Sequence, residues 1–249
     1  MIYNPYSLEG RTILITGASS GIGRRTAIEC AKLGAQVVLT GRNEERLSSV
    51  LNELEGVGHQ FVACDLNNST AIKELVEGLP VIDGFVSNAG YTKTAPVQFV
   101  KEDDLLGMLQ VNTVAPVLLL RDLLKKKKLQ KGASVVFTSS IAGVVRSSVG
   151  NTMYASTKGA ISAFVRVAAK ELAAKGIRVN AVCPASVDTG ILDNGAISRE
   201  QLEADMANYP LQRYGKPEEV AWAIIYLLSE ASAWTTGTNM LIDGGISIR

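Results

Sequence analysis

Short runs of apolar, β-branched residues alternate with longer stretches whose apolar positions recur at helical spacing, from one end of the chain to the other. The runs at 12–16, 36–40, 60–64, 82–87, 134–138, 178–182 and 240–242 are mostly apolar and rich in Val and Ile, as expected of strands covered on both faces. Helices are predicted over 22–33, 44–54, 69–77, 103–127, 154–175 and 217–228. Ser69 reads as an N-cap, and Pro217 suits a first helical turn, where its missing N–H leaves no bond unmade. Strict alternation of strand and helix predicts an α/β fold, a doubly wound parallel sheet with right-handed crossovers between two helical layers. No repeat, linker or low-complexity segment interrupts residues 1–249, so one domain is expected. The stretch 185–214 breaks the rhythm, with Gly, Asn, Asp and one short helix near 199–207. It follows a strand's C-terminal end, where such folds bind ligands, so a substrate lid is expected over about 186–214.

Composition narrows function mainly by exclusion. Of the 249 residues 47% are hydrophobic, enough for one large core. The formal charge of +1 gives no electrostatic reason to expect nucleic acid or an anionic membrane as partner. Apolar runs such as 114–120 are too short to cross a bilayer, and residues 1–5 lack the basic-then-apolar pattern of a secretory signal. Cys30, Cys64 and Cys183 are widely spaced and form no C-x-x-C pair. They read as small buried residues in a reducing compartment, which makes the cytoplasm the expected location. The one histidine, His59, precedes a strand and reads as an edge residue rather than a general base. With so few His and Cys, no metal site is expected.

The first strand runs directly into Thr16-Gly17-Ala18-Ser19-Ser20-Gly21-Ile22-Gly23 and then a helix. Glycines let backbone approach a pyrophosphate closely, and a helix N-terminus offers unpaired N–H groups to it. Gly17, Ser19, Ser20, Gly21, Ile22 and Gly23 are therefore candidate cofactor residues of a Rossmann-type fold, although the spacing Gly-x-x-x-Gly-x-Gly differs from G-x-G-x-x-G. At the end of strand two an NAD enzyme usually carries an acid for the ribose 2′-hydroxyl, but here stand Thr40-Gly41-Arg42-Asn43. A guanidinium binds the 2′-phosphate that a carboxylate would repel, so NADP(H) is expected in preference to NAD(H).

Tyr154 and Lys158 lie four residues apart at a helix start, so they share one helical face. A phenol titrates near ~10, and a neighbouring ammonium favours its ionised form. Tyr154 could then give a proton to a carbonyl oxygen or take one from an alcohol.

With these motifs in order, and with Asp65-Leu66, Ser87-Asn88-Ala89-Gly90, Asn112, Ser139-Ser140, the stretch 184–189 and Asp243-Gly244-Gly245, the chain resembles the short-chain dehydrogenase/reductase family from about residue 8 to 245. The resemblance implies a hydride-transferring oxidoreductase with Asn112, Ser140, Tyr154 and Lys158 as its catalytic group. Asp65 and Leu66 would meet the adenine, and Asn88, Ala89 and Gly90 would line the cofactor. Ser140 would hold the substrate oxygen, and Lys158 would also bind the nicotinamide ribose. Asn112 would distort its helix and hold a relay water, and Pro116 independently suggests a kink there. Pro184, Val187 and Thr189 match the family's Pro-Gly-x-Val-x-Thr, and Val187 and Thr189 would fix the carboxamide. Ala185 departs from it where glycine is usual, which predicts an adjusted turn.

The resemblance also implies a homotetramer through the two long helices and the C-terminal strand, with a dimer as the alternative. Lys125–Lys128 with Lys131 reads either as a solvated helix end or, with Lys175, as a dock for an acidic acyl carrier protein. The implied substrate is a 3-oxoacyl thioester, with a small ketone, sugar or polyol as the alternative. A non-catalytic NADP(H) sensor is the reading from another class, and such proteins usually lack the tyrosine or the lysine.

Overall fold

The computed structural model describes residues 3–189 and 199–248. Seven strands form one parallel sheet in the order β3-β2-β1-β4-β5-β6-β7. They are β1 Thr12–Thr16, β2 Gln36–Gly41, β3 Gln60–Ala63, β4 Ile82–Ser87, β5 Leu129–Thr138, β6 Arg178–Pro184 and β7 Asn239–Ile242. Consecutive strand residues point to opposite faces. Leu14, Phe85, Val135 and Val179 therefore join one core, while Ile13, Ile15, Val86 and Val136 join the other.

The first core is closed by α3 Ser69–Gly78, α5 Ala115–Lys125 and α6 Thr152–Leu172, through Ile72, Leu119 and Val165 among others. Phe137 at its centre meets Phe85 and Phe164 edge to face, with ring centroids 6.1 and 5.7 Å away. The second core is closed by α1 Gly21–Lys32, α2 Glu44–Leu51 and α8 Pro217–Leu228. The remaining helices are α4 Glu102–Leu109, before α5, and α7 Arg199–Met206, before α8.

Several local expectations need correction. The N-cap of α3 is Asn68 rather than Ser69, because the Asn68 carboxamide oxygen accepts from the N–H groups of Thr70 and Ala71. β5 begins at Leu129, five residues before the apolar run, since its polar start still pairs with Ile82. The helix bearing Tyr154 starts at Thr152, so the tyrosine sits inside its first turn. Pro217 does occupy the first turn of α8, and His59 is an edge residue whose Nδ1 accepts from Val37 N at 3.1 Å. All three cysteines are free and buried.

The predicted helix 103–127 is interrupted. Gln110–Val114 forms a π turn between α4 and α5, placed where Pro116 in the first turn of α5 offers no N–H to the preceding ladder. Counted through that turn, Glu102–Lys125 is 24 residues long and apolar enough by composition to cross a membrane. Met108, Leu119, Leu120 and Leu123 are nevertheless buried in the fold, as in the core helix of a sheet protein.

Candidate active site

Strand order reverses between β1 and β4, and a cleft of about 560 Å³ opens there along the C-terminal strand ends. Doubly wound sheets bind ligands at that point. The turn after β1 lines one wall through Gly17, Ser19, Ser20, Gly21 and Ile22. Gly17 and Gly21 hold φ of +65° and +53°, which disfavours any side chain. A Cβ on Gly17 would stand 2.8 Å from Ala89 Cα. One on Gly23, which packs behind the wall, would stand 2.3 Å from the Gly17 carbonyl oxygen. Ser20 is the N-cap of α1, but its side chain makes no capping bond. Glycines packed too closely on neighbouring segments to carry a Cβ, at a helix N-terminus with uncapped N–H groups, fit a dinucleotide pyrophosphate.

Arg42 stands exposed at the rim beyond β2 and lines the same cleft. The adjacent helix start is capped by Asn43, whose oxygen accepts from Arg46 N at 2.8 Å, so Arg42 has no capping task. Asp65 and Leu66 line the cleft beyond β3, and Asp65 is steadied by the Asn67 backbone and side-chain nitrogens, each at 3.0 Å. Asn88, Ala89 and Gly90 line it beyond β4. Asn88 also ties three strand ends together, donating to Thr16 O and Gly17 O and accepting from Thr138 Oγ1 at 3.2 Å.

The four proposed catalytic residues converge from three elements, α6, the turn after β5 and the π turn. Lys158 is buried, donates to the Thr138 carbonyl at 2.7 Å, and holds its Nζ 5.7 Å from the centre of the Tyr154 ring. Tyr154 and Lys158 both face the cleft, as their spacing predicts. Ser140 is buried beside them, hydrogen-bonded with Tyr154 and 3.4 Å from the Pro184 carbonyl. Asn112 lies in the π turn, pinned by Tyr91 N, Tyr91 O and Thr157 Oγ1 at 3.0, 2.9 and 3.2 Å. A Cβ on Gly90 would lie 3.1 Å from Asn112 Oδ1 and 3.4 Å from Lys158 Nζ, so these two polar groups close on the Gly90 backbone.

Of the segment after β6, Thr189 lines the cleft and packs against Gly21, while Val187 pairs with Gly215 and packs against the second core. Pro184 ends β6 and is buried. Ala185 holds no positive φ, and its N–H bonds Ile242 O at 3.0 Å. The expected lid over 186–214 falls partly outside the described residues, at 190–198. Its far end is seated by buried Tyr209, whose hydroxyl accepts from Ser186 N at 3.3 Å.

Sequence reasoning missed the supports. Thr138 supplies the carbonyl for Lys158, Thr157 anchors Asn112, and Gly143 touches the backbone of α6 beside Lys158. The strand-end positions Thr40, Cys64 and Thr138 were findable, since C-terminal strand residues floor such clefts. Gly143 carried no local signal.

The electrostatics differ from the simple expectation that Lys158 lowers Tyr154. Burial pushes the Tyr154 phenol above its ordinary value, against the opposing hydrogen bond from Ser140. Burial also lowers Lys158 to about 8, and its ammonium is spent on a carbonyl rather than on the phenol. In the cofactor-free protein this lysine is a strain on folding. Its folded value lies below the ordinary 10.5, so the penalty is absent above pH 10.5 and complete below pH 8. A shift of that size is worth about 3 kcal/mol, less about 1 kcal/mol for the lost bond to Thr138. Lys158→Met is expected to be about 2 kcal/mol more stable than the parent near neutral pH, a margin that shrinks between pH 8 and 10.5. Thermal melts of the two proteins across that range test it, and a margin independent of pH would refute the assignment.

A nucleotide cradle joined to a Tyr–Lys pair defines a dinucleotide-dependent oxidoreductase. Comparison with known proteins makes the class specific. A family model described as Enoyl-(Acyl carrier protein) reductase matches residues 17–247. The 3-oxoacyl-(acyl-carrier-protein) reductase FabG of Thermotoga maritima is 36% identical over 247 residues, covering 97% of this chain and 99% of that one. The glucose 1-dehydrogenase of Gluconobacter oxydans is 34% identical, covering 96% and 92%. Among solved structures, the Pseudomonas aeruginosa RhlG/NADP active-site complex superposes with a TM-score of 0.91 at 29% identity, covering 99% and 100%. The chain belongs to the short-chain dehydrogenase/reductase family and is an NAD(P)-dependent oxidoreductase.

Proposed function

We propose that this protein is an NADP(H)-dependent reductase interconverting a carbonyl and a secondary alcohol, with Tyr154 as general acid and base. The observation that carries the reading is one cleft with Tyr154 and Lys158 at one end and, at the other, Arg42 where the end of β2 carries no acid. The turn 17–23 and Asp65, Leu66, Asn88, Ala89 and Gly90 would hold the dinucleotide, with Pro184, Val187 and Thr189 at its nicotinamide end. When bound, the nicotinamide supplies or takes up the hydride. Ser140 holds the reacting oxygen, Tyr154 exchanges a proton with it, and Lys158 orients the cofactor and steadies the phenolate. Asn112, fixed by Tyr91 and Thr157, positions a water between itself and Lys158 so that the proton is replaced from solvent. One domain with a lid over about 186–214, assembled as a homotetramer in the cytoplasm, completes the proposal.

The substrate we favour is a 3-oxoacyl thioester, supported by the Thermotoga maritima relative. The lysine cluster supports carrier docking less than its sequence suggests. Lys126 pairs with Glu77 at 2.8 Å, and Lys128 donates to the carbonyls of Glu77 and Leu79. Lys128 O also accepts from Ile82 N, which puts the cluster at the N-terminal strand edge, opposite the cleft. A carrier bound there does not face this subunit's own Tyr154.

Binding of NADPH and NADH, followed by NADPH oxidation with an acetoacetyl thioester, tests both parts. Arg42→Asp is expected to weaken NADPH by roughly 10–100-fold, the worth of a charge-assisted pair, and to leave NADH within a few-fold. Equal loss for both cofactors would remove Arg42 as the phosphate reader. Tight NADPH binding without thioester-dependent oxidation would move the search to ketones, sugars and polyols.

A further inference from the structure

The motif Ser139-Ser140 places two hydroxyls side by side, and the proposed chemistry uses only Ser140. Ser139 lies in the buried seam where the end of β5 meets β6 and α6. Its N–H is fixed on Val182 O of β6 at 2.8 Å. Its hydroxyl donates to Lys158 O at 2.9 Å and stands 2.7 Å from the hydroxyl of Ser162, one helical turn along α6 from that lysine. Ser162 is also buried, and the Cys183 thiol of β6 hydrogen-bonds with both hydroxyls.

Counting protons gives these bonds a direction. A serine hydroxyl has one proton to give. Ser139 spends it on the Lys158 carbonyl, so the short contact between the serines is a bond from Ser162 to Ser139. Neither hydroxyl then has a proton left for sulfur, and the thiol must be the donor. Burial pushes Cys183 up to about 11, so the thiol proton is present at neutral pH. A buried chain therefore runs from β6 through the serine hydroxyls onto the backbone carbonyl of Lys158, each bond polarising the next.

Lys158 is thus gripped by two consecutive residues. Thr138 O accepts from its Nζ at 2.7 Å, and Ser139 donates to its carbonyl. On the inward side the Gly143 backbone sets the closest approach of α6, since a Cβ there would stand 2.4 Å from Lys158 C. Gly143 blocks movement of the helix inward, and the Ser139 bond opposes movement outward. We infer that Ser139, and Ser162 through it, set the position of Lys158 against Thr138 O and the Tyr154 ring. Both serines are positioning residues, which act through Lys158. Their effect on turnover rests on the reading of Tyr154 and Lys158 as the reacting pair, whereas the placement of Lys158 does not.

The test is an NMR titration of the whole protein carrying ε-¹³C lysine, with the Lys158 signal identified by its loss in Lys158→Met. Tyr154 on the same helix and Cys183 on β6 are the titratable groups beside it among the described residues. The bond to Thr138 O favours the ammonium, and loss of the Ser139 pin slackens that bond. In Ser139→Ala the Lys158 midpoint is therefore expected to fall by about 0.5 pH unit or more. Ser162→Ala, which keeps the Ser139 bond, lowers it less. Ser162 reaches Lys158 through Ser139, so the double variant shifts no further than Ser139→Ala alone. Ser139→Cys retains a weak donor and recovers part of the shift. Reduction of an acetoacetyl thioester by NADPH is expected to slow roughly 10-fold or more in Ser139→Ala. A merely structural role lowers Tm and leaves the Lys158 midpoint in place. That outcome, or shifts that simply add in the double variant, overturns the inference. The titration needs no substrate, so a protein that turns over no thioester is seen separately as a failure of the substrate reading.

Discussion

Replacing Tyr154 with Phe is expected to cut turnover by about 10²–10⁴, the usual worth of a positioned acid or base, while NADPH binding stays within a few-fold. The ring packing survives the change, since only the hydroxyl is lost. The bond with Ser140 goes with it, and a proton donor disappears from the cleft. The cofactor cradle from Gly17 to Gly23 is made by other elements and is untouched. Single-turnover kinetics with NADPH, together with a binding titration, separate the two effects. Turnover that persists in Tyr154→Phe would show that another group carries the proton. Because burial holds the phenol above its ordinary value in the cofactor-free protein, the activity must depend on what binding adds. Oxidised nicotinamide brings a positive charge, and such a charge favours phenolate.

Gly143→Ala is expected to cost about 2–3 kcal/mol of stability and to reduce turnover, although Gly143 touches neither cofactor nor substrate in this scheme. An added Cβ would stand 2.4 Å from Gly159 N and 2.4 Å from Lys158 C, both backbone atoms of the catalytic helix. Backbone cannot rotate away as a side-chain tip can, so α6 or the 3₁₀ turn Ile141–Gly143 must shift. That turn begins at Ser140, and a displacement of about 1 Å between Ser140 and Tyr154 would disturb both the substrate oxygen and its proton donor. In a chain of this length 2–3 kcal/mol corresponds to a lowering of Tm by roughly 4–12 °C. A scanning melt and kcat for the thioester or ketone substrate measure the two parts. An unchanged melt would mean that the turn relaxes freely and that the close approach has no functional role.

Legibility of the site followed the range of the forces involved. The turn Thr16–Gly23 could be read because a parallel strand feeding a helix through glycines is a local arrangement. Tyr154 and Lys158 could be paired because helical spacing alone puts them on one face. Arg42 was visible as a missing acid at a fixed place after strand two. The π turn was half legible, since Pro116 announced a break but not its form. Ser69 misled because Asn68 beside it caps equally well, and only the backbone torsions choose between them. Gly143 was invisible, because what excludes its side chain lies 15 or more residues away in α6.

What the sequence determined by itself was the order of strands and helices, the two-faced burial of the sheet, and the reaction class carried by its motifs. Hydrophobic period and turn chemistry act over a few residues, so they are written where they act. Tertiary structure alone decided which strand ends meet at the cleft, that Lys158 donates its hydrogen bond to Thr138 O, and that the lysine run lies at the opposite edge. These depend on distances between segments far apart in the chain, which burial and packing set only once the whole sheet is closed.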